Sequence, residues 1–348
     1  MSRLAVVLMN LGGPDRLESV RPFLFNLFND RAIIGVPQPM RWMLAQLISR
    51  RRAPVARLIY EELGGGSPLL KNTEDQSAAL EAELRRLHPT GDIRCFIAMR
   101  YWRPLTEETV DAVADWGADS ILLLPLYPQY STTTTASSVK RWRAAAARKG
   151  LRIPTTVLCC YPALGGFVSA VAARIRDALR TVSGGRIPRI LFSAHGLPEK
   201  VIARGDPYKV HVERTAAAVV AALQGESFDW TVCYQSRVGP LAWIKPYTVD
   251  EIRRAGVDKV PLVVVPIAFV SEHSETLVEL DIEYRKLAEE VGVPAYRRAP
   301  AVGSDGDFIA ALAALAAEAA AGGATLCSGE GGRLCPPDRT GCAFACAR

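Results

Sequence analysis

The sequence predicts an α/β fold made of two similar halves, each built on a parallel sheet. The first observation is a series of apolar runs of strand length, at residues 4–10, 93–99, 120–126, 155–161, 189–194, 230–235 and 260–269. The second is that helical patterns such as SAALEAELRRL (77–87) separate these runs. Continuous apolar strands that alternate with helices are typical of parallel sheets covered on both faces.

The third observation is a weak internal repeat. The stretch PLTEETVDAVADWGADSILLLPLYPQYS (104–131) parallels KPYTVDEIRRAGVDKVPLVVVPIAFVSE (245–272). Likewise, LMNLGGP (8–14) parallels LFSAHGLP (191–198). Because ligands of such sheets bind beyond the carboxyl ends of the strands, we expect a ligand cleft between two related halves.

The repeat also sets the expected domain boundaries. We expect an N-terminal domain over residues 1–150, with an apolar and basic lip at about 21–60, and a C-terminal domain over 151–305. Residues 306–348 follow as an Ala-rich helix and a short extension that holds four of the eight cysteines.

Composition narrows the class of protein. With 348 residues, 49% hydrophobic and 22% charged, the chain has a soluble globular composition. No run of 18 apolar residues suggests a membrane span, and MSRLAVVLMNLGGPD is interpreted as a first strand rather than a signal peptide. We therefore expect a cytoplasmic protein. The net charge of +6 is mild and no nucleic-acid motif is present, so nucleic acid is not an expected partner.

Part of the positive charge is local. ISRRRAPVAR (48–57) lies beside the apolar stretches RPFLFNLF (21–28) and MRWMLAQLI (40–48). One interpretation is a solvated basic helix end. The other is a hydrophobic lip whose basic residues meet a membrane surface or an anionic ligand.

A second unusual stretch is acidic. Glu272, Glu275, Glu279 and Glu283 are spaced to form one stripe on a helix over 271–284. This segment contains no Lys or Arg, and the first basic residue after it is Arg285. Like charges at this spacing oppose one another by roughly 0.2–0.5 kcal/mol per pair. A solvated acidic face is one interpretation. The other is that the missing cation is a divalent metal, held by carboxylate oxygens and the imidazole of His273.

Two histidines are candidates for chemistry. His195 follows a strand and precedes Gly-Leu-Pro, which is where sites form in α/β sheets. His273 lies inside the acidic stripe. The other two, His88 and His211, lie in a polar stretch and an amphipathic pattern, and neither suggests a function.

Several segments, in order through most of the chain, carry a family resemblance. They are LMNLGGPD (8–15), YEELGGGSPL (60–69), MRYWRPLTEE (99–108), LYPQYSTTTTASS (126–138), LFSAHGLP (191–198), RGDPY (204–208), YQSRVGPLAW (234–243) and PIAFVSEHSETLVELDIEY (266–284). With them the chain resembles the ferrochelatases, the lyases of haem synthesis that insert ferrous iron into a porphyrin. The resemblance implies two Rossmann-like halves in the chelatase arrangement, with the porphyrin in the cleft.

The resemblance also implies roles for residues. His195 and Glu275 correspond to the family's catalytic pair, and the expected metal contacts are His195, Glu275, His273, Glu272, Glu279 and Glu283. The expected porphyrin contacts are Leu11, Arg51, Arg52, Tyr60, Ser67, Arg100, Tyr101, Tyr127, Tyr234 and Phe269. Tyr234 departs from relatives that carry Trp there, which predicts weaker stacking.

The implied reaction is insertion of Fe²⁺ into protoporphyrin IX to give protohaem, the terminal step of haem biosynthesis. Metallation must remove two pyrrole protons from a distorted macrocycle. A neutral imidazole and a nearby carboxylate are suited to accept them. Three further functions stay open: a chelatase for another metal or tetrapyrrole, a non-catalytic porphyrin binder, and a cluster-bearing regulator or electron carrier.

The C-terminal cysteines are spaced C-x7-C-x6-C-x3-C, at Cys327, Cys335, Cys342 and Cys346. Disulfides are rare in cytosolic proteins, and zinc sites usually use close cysteine pairs, so the spacing favours an iron–sulfur cluster.

Some ferrochelatases carry a [2Fe–2S] cluster with three ligands from such an extension and one from the body. Here the body position, near Thr132, has no cysteine. We therefore expect Cys335, Cys342 and Cys346 as three ligands and Cys327 as the fourth, with Cys159 or Cys160 as the second choice for that position. The expected location is the cytoplasm, peripheral to the inner membrane, and the sequence leaves a homodimer open.

Overall fold

A computed structural model describes residues 2–182 and 186–346, and for Cys346 it describes the backbone alone. The chain divides into two compact units. The first unit runs to Cys160 and includes Leu312–Arg333, and the second comprises Tyr161–Ala311 and the residues from Leu334 onward. The first boundary thus falls ten residues after the expected one, and the C-terminal segment is divided between the units.

The strands, in chain order, are β1 (Arg3–Asn10), β2 (Asp92–Met99), β3 (Ser120–Pro125), β4 (Thr155–Leu158), β5 (Arg189–His195), β6 (Asp229–Gln235), β7 (Leu262–Pro266), β8 (Tyr296–Arg298) and β9 (Leu326–Cys327). All neighbouring strands are parallel. The first unit has the order β2-β1-β3-β4-β9, and the second has the order β6-β5-β7-β8. The prediction of two parallel-sheet α/β halves is therefore confirmed.

Helices connect these strands. They are α1 (Val20–Phe28), α2 (Gln38–Glu61), α3 (Leu69–Leu87), α4 (Thr106–Trp116), α5 (Thr135–Lys149), α6 (Gly165–Thr181), α7 (Glu199–Ala203), α8 (Tyr208–Ala222), α9 (Thr248–Asp258), α10 (Tyr284–Glu290), α11 (Gly306–Ala321) and α12 (Ala343–Cys346). A short 3₁₀ turn covers Leu17–Ser19, and a π-helix covers Glu275–Glu283. None of the helices in the described ranges is both long and apolar enough to cross a bilayer.

The continuous apolar strands are buried because helices cover both faces of each sheet. In the first unit, Val7, Leu123 and the Trp142 ring share one core. In the second, Leu191 and Val264 pack against side chains of α9, α10 and the π-helix. Burial of such side chains stabilises the fold by roughly 1.5–3 kcal/mol each.

The repeat has a structural counterpart in each unit. After β2, the Met99 amide donates to the Pro104 carbonyl at 2.8 Å, and after β6 the Tyr234 amide donates to the Pro246 carbonyl at 2.9 Å. In both places the loop returns to the end of the strand before a helix begins. The carboxyl ends of β2 and β6 are therefore held in the same way.

The C-terminal extension contributes to both units. In the first, β9 adds to the edge of β4, and the Cys159 amide donates to the Cys327 carbonyl at 2.9 Å. In the second, the Gly341 amide donates to the Gly205 carbonyl at 3.0 Å. Strands β8 and β9 were not predicted, because segments of three and two residues carry no readable pattern.

Candidate active site

The centre of the candidate site lies at the carboxyl end of β5. His195 is the last residue of this strand, and its Nδ1 lies 2.9 Å from the Glu275 Oε2 atom. Glu275 is the first residue of the π-helix that follows β7, the neighbour of β5 in the sheet. Both side chains are half-buried, so a ligand can still reach them. The structure thus brings together the two residues expected to be catalytic.

The two groups shift each other's pKa in opposite directions. Burial opposes the charged imidazole, but the Glu275 carboxylate outweighs burial and raises the pKa of His195 above its ordinary value. Burial likewise opposes the Glu275 carboxylate, and the positive charge and hydrogen bond of His195 bring the pKa of Glu275 well below its usual range. The pair therefore favours an imidazolium beside a carboxylate.

The next carboxylate of the stripe, Glu279, is held by neutral donors. Its Oε1 accepts from the Ser236 amide at 2.9 Å and from the Tyr284 hydroxyl at 2.8 Å. Its Oε2 accepts from the Ser236 hydroxyl at 2.5 Å and from the Gln235 amide group at 3.2 Å. Burial and the neighbouring charge of Glu275 raise the pKa of Glu279.

Ser236 links the two carboxylates and was not among the predicted site residues. Its hydroxyl lies 2.5 Å from Glu279 and 3.4 Å from Glu275. Its backbone adopts a positive φ of 63°, which is uncommon for a residue other than glycine, and this directs both its amide and its hydroxyl at the stripe. The sequence feature that could have identified Ser236 is its position in YQSRVGP, directly after β6. Ligand-binding residues of parallel sheets are found at the carboxyl ends of the strands.

His273, the second candidate histidine, is buried. Its ring packs against the Phe269 ring, with centroids 4.5 Å apart. Its Nδ1 has no hydrogen-bond partner among the described residues. Burial lowers the pKa of His273, against the pull of Glu275 and Glu272. This imidazole is therefore neutral and keeps a free lone pair or N–H for a ligand.

We expected no cation of the protein itself beside the acidic stripe, and this is wrong for Glu272, which pairs with Arg298. Arg298 in β8 binds Glu272, with Nη1 2.9 Å from Oε1, and binds Asp281 through Nη2 at 2.7 Å. The Ala301 amide also donates to Glu272 at 2.8 Å. Sequence spacing could not reveal this pairing, because Arg298 comes from a separate strand. Glu283, at the far end of the stripe, is exposed.

The stripe is also wound differently from the α-helix that was expected. Residues Glu275–Glu283 form a π-helix, whose hydrogen bonds run over five residues instead of four. Such turns are frequent at functional sites. Within the described residues, no three or more His, Cys, Asp or Glu side chains are grouped so as to hold a metal ion.

In the first unit, three of the family segments converge around the end of β1. A Cβ on Gly13 would lie 2.5 Å from the Ser67 hydroxyl, and one on Gly66 would lie 2.5 Å from the Asp15 carbonyl. The Trp102 indole donates to the Asp15 carboxylate at 2.8 Å. Glycine is thus required at these two positions for close approach, and it brings Ser67 to the LGGPD turn.

The predicted pair Arg100 and Tyr101 is held by a residue that was not predicted. The Asp30 Oδ2 atom accepts from the Arg100 guanidinium at 2.7 Å, from the Tyr101 hydroxyl at 2.8 Å and from Ser137 at 2.7 Å. Burial opposes the charge on Asp30, but Arg100 outweighs it and lowers the pKa of Asp30. Tyr101 is 1% exposed, which places it behind the surface that a ligand meets.

The remaining predicted porphyrin contacts differ in exposure. Arg51 and Arg52 are exposed, and the Arg52 guanidinium lies 5.8 Å from the Phe28 ring centre. Tyr60 and Tyr234 are buried, whereas the half-buried side chains are Leu11, Ser67, Tyr127 and Phe269. The exposed and half-buried members are therefore the ones a ligand can touch without rearrangement.

The fold is that of chelatases. SirB from Bacillus subtilis with Fe³⁺ matches with a TM-score of 0.53 at 13% identity, over 92% of this chain and 96% of that one. The sirohydrochlorin chelatase SirB from B. subtilis subspecies spizizenii, in complex with cobalt, matches with a TM-score of 0.50 at 16% identity and the same coverage. At such identities the likeness shows the fold alone.

Sequence relatives define the family more narrowly. The family model for ferrochelatase matches residues 3–320. A ferrochelatase of Phenylobacterium zucineum is 56% identical over 98% of both chains. One of Caulobacter vibrioides is 57% identical over 89% of this chain and 88% of that protein. The chain therefore belongs to the ferrochelatase family, the metal chelatases of the lyase class that insert ferrous iron into protoporphyrin in haem biosynthesis.

We predict that Arg298 stabilises the acidic stripe. Arg298→Met would leave two carboxylates, Glu272 and Asp281, without their cation. The expected loss of unfolding free energy is about 3 kcal/mol, at the low end for buried pairs because the two carboxylates keep 24% and 28% of their surface exposed. Urea unfolding measures it, and Arg297→Met, an exposed neighbour in the same strand, should change it by about 0.5 kcal/mol at most. Equal losses in the two variants would contradict this assignment.

Proposed function

We propose that the His195–Glu275 pair is the catalytic centre at which Fe²⁺ enters protoporphyrin IX to give protohaem, the terminal step of haem biosynthesis. The observation that carries this is the 2.9 Å contact between the two side chains at the carboxyl end of β5. The reaction forms bonds from iron to the pyrrole nitrogens and releases two pyrrole protons. A base must therefore stand where the porphyrin binds.

His195 is the proton acceptor in this proposal. Its Nδ1 faces Glu275, so Nε2 is the nitrogen left for the substrate. The approach of Fe²⁺ disfavours the imidazolium, because like charges repel, so the ring first releases its Nε2 proton to solvent. The neutral ring, which keeps its Nδ1 proton hydrogen-bonded to Glu275, then accepts a pyrrole proton at Nε2. Glu275 holds the ring in place and stabilises each imidazolium that forms, as carboxylates do for other catalytic histidines.

Glu279 takes the proton onward. Its raised pKa makes it a better proton acceptor than an ordinary glutamate, and the Ser236 hydroxyl lies within hydrogen-bond distance of Glu279 and 3.4 Å from Glu275. Each proton passes from Nε2 through solvent to Glu279 and then past the exposed Glu283, so that His195 keeps its Nδ1 proton and has a free Nε2 again before it accepts the second pyrrole proton.

We also assign Glu275, Glu279 and Glu283, together with His273, to binding Fe²⁺ as the substrate. His273 is neutral, buried and without a partner at Nδ1 among the described residues, which suits a ligand for Fe²⁺. Glu272 is different. Because Arg298 and a backbone amide occupy its oxygens, we assign it to fixing the start of the π-helix rather than to the metal.

We propose that the porphyrin binds to the contact residues that the family resemblance implies. Leu11 and Phe269 offer apolar contact for the rings, and the exposed Arg51 and Arg52 offer charge-assisted hydrogen bonds for the propionates. The buried Tyr101 acts through Asp30 and Arg100, whose positions it fixes. Binding energy from these contacts can hold the macrocycle distorted, which exposes its nitrogen lone pairs.

We also propose a [2Fe–2S] cluster. Its expected ligands are Cys335, Cys342 and Cys346, with Cys327 as the fourth and Cys159 or Cys160 as the second choice for that position. The side chain of Cys346 lies outside the described residues. Cys335 and Cys342 are both buried in the second unit, and the Cys335 Sγ atom lies 3.3 Å from the imidazole of His211. The described donors are not themselves grouped so as to hold a metal ion, and the cluster proposal therefore rests on the cysteine spacing and the family resemblance. Protein purified without oxygen should contain iron, acid-labile sulfide and visible absorption, and their absence would refute it.

When bound, the cluster would supply a redox-sensitive structural element in the C-terminal extension. No step of iron insertion is assigned to it, since the reaction involves no electron transfer. None of its expected ligands is among the residues proposed to be catalytic.

We further propose that the chain is cytoplasmic and meets the inner membrane through its lip, the segment at about 21–60. The lip exposes seven large apolar side chains, Ile33, Met40, Trp42, Met43, Leu47, Val55 and Leu58, beside the exposed Arg50, Arg51 and Arg52. Apolar side chains with adjacent arginines are typical of surfaces that bind anionic lipid. A bilayer would also supply the poorly soluble substrate.

The activity prediction concerns His195. In an anaerobic assay of Fe²⁺ insertion into protoporphyrin IX, His195→Ala should lower kcat by about 10²–10⁴-fold, the usual contribution of a positioned acid or base. Porphyrin binding, followed by fluorescence, should survive. His88→Ala, at an exposed histidine, is the control and should match the wild type. Insertion by His195→Ala within a few-fold of the wild-type rate would contradict the proposal.

The membrane prediction concerns the lip. Wild-type protein should sediment with phosphatidylglycerol vesicles, and Trp42→Ser with Met43→Ser should weaken this at least 10-fold, because each buried apolar side chain contributes roughly 1.5–3 kcal/mol. Val257→Ser, at an 82% exposed position outside the lip, is the control. If the same double change instead dissolves a homodimer formed without vesicles, the lip is a subunit interface and the membrane assignment is wrong.

A further inference from the structure

A chain of buried hydrogen bonds leads from Glu279 into the interior of the second unit. The Ser193 hydroxyl donates to the Gln235 Oε1 atom at 2.7 Å, and the Gln235 Nε2 atom donates to Glu279 at 3.2 Å. The Thr248 hydroxyl lies 2.9 Å from the Ser193 oxygen. Ser193 and Thr248 are 0% exposed and Gln235 is 2% exposed, so bulk water does not compete for these contacts. None of these three residues was among the predicted site residues.

The sheet brings this chain of hydrogen bonds to the site. Ser193 lies in β5 two residues before His195, and side chains two apart in a strand leave the same face of the sheet. Gln235 is the last residue of β6 and pairs with His195 across the two strands. Thr248 is the first residue of α9. The strand that carries His195 therefore also carries the residue that holds a donor of Glu279.

A cation at Glu279 would favour the opposite orientation of the Gln235 amide group. The oxygen and the NH₂ group of a glutamine have nearly the same shape, so a half-turn exchanges a donor for an acceptor without a change in packing. Two oxygens bound to one divalent ion at about 2.0–2.2 Å lie about 3 Å apart. The Gln235 Nε2 atom is 3.2 Å from the Glu279 Oε2 atom. Because a cation attracts the oxygen of an amide dipole, a freely turning Gln235 would become an extra ligand.

Ser193 and Thr248 oppose this turn. The Thr248 hydroxyl lies 2.9 Å from the Ser193 oxygen and 3.3 Å from the Cys233 sulfur, which is the weaker acceptor, so Thr248 donates to Ser193. Ser193 has a single hydrogen and donates it to the Gln235 Oε1 atom. A turned amide group would take this acceptor away from a buried hydroxyl, which costs free energy.

We propose that Ser193 is a positioning residue for iron insertion: it keeps the Gln235 oxygen turned away from Fe²⁺ at Glu279, so that the acidic stripe passes iron on and does not retain it. The inference rests on the proposed function, in which Glu279 binds Fe²⁺ as the substrate. Ser193 is fully buried and therefore acts through Gln235 rather than on a substrate. An extra ligand would stabilise iron on the stripe but not the transition state of insertion, so it would lower kcat.

The first experiment follows the Gln235 side chain by NMR during a titration with Zn²⁺, a diamagnetic substitute for Fe²⁺. The full-length protein is labelled with [¹⁵N]glutamine, of which the chain has six, and the Gln235 amide signals are identified by their absence in Gln235→Met. Ser193→Ala should bind Zn²⁺ at this site about 10-fold more tightly than the wild type, because the turned oxygen coordinates the metal. Thr248→Val, which keeps the shape of its side chain, should raise the affinity by a smaller factor.

The second experiment measures the kinetics of iron insertion. Ser193→Ala should lower both kcat and the KM for Fe²⁺ by about 10-fold and leave the KM for protoporphyrin IX unchanged, whereas a general loss of packing would not lower a KM. Adding Gln235→Met to Ser193→Ala removes the amide oxygen, and the fall in the KM for Fe²⁺ should disappear. Thr215→Val is the control. This threonine is 0% exposed and its hydroxyl donates to a carbonyl of its own helix, so the variant should match the wild type.

Three results would overturn the inference, and they separate its failure from that of the proposed function. Equal Zn²⁺ affinities and equal KM values for Fe²⁺ in the wild type and Ser193→Ala would refute the role of Ser193 alone. A fall in this KM that persists in the double variant would refute the route through Gln235. Gln235 signals that do not respond to Zn²⁺ in either protein, together with full insertion activity in Glu279→Gln, would refute Fe²⁺ binding at Glu279 and the inference with it.

Discussion

The contact between His195 and Glu275 is the interaction on which the rest of the site depends. It joins the carboxyl end of β5 to the first residue of the π-helix after β7, two neighbouring strands of one sheet. A half-buried imidazolium and a half-buried carboxylate would each lose part of their hydration if unpaired, and together they offset this loss. The parallel sheet sets the distance between the two elements, and the remaining acids are arranged around this pair.

The acidic stripe is stabilised in two different ways along its length. Glu272 and Asp281 are neutralised by the protein's own Arg298, whose side chain is 7% exposed. Glu279 forms no ion pair with a Lys or Arg that the structure describes, and four hydrogen bonds from neutral donors hold it beside Glu275. Arg298 thus compensates the charges of Glu272 and Asp281 permanently, while Glu275 and Glu279, the carboxylates near His195, stay available to protons and metal ions.

The sequence was sufficient for the sheets, because strands buried on both faces leave long apolar runs that no solvent pattern obscures. The family motifs in the sequence also predicted that His195 and Glu275 belong to one site. The sequence did not reveal the roles of Arg298, Ser236 and Asp30, because each of them acts through a contact between distant segments. The contact between His211 and Cys335 was not predictable for the same reason, since the two residues are 124 positions apart in the chain.

The most direct test of this account is a titration of the His195 ring by NMR, in wild type and Glu275→Gln. In the wild type the pKa of His195 should lie above the ordinary value of about 6.5, because the carboxylate outweighs burial. In Glu275→Gln burial should dominate and bring the pKa of His195 below that value, whereas Glu283→Gln, at an exposed position, should leave it unchanged. A ring that titrates at the same pH in the wild type and Glu275→Gln would contradict the ion pair and the proton path built on it.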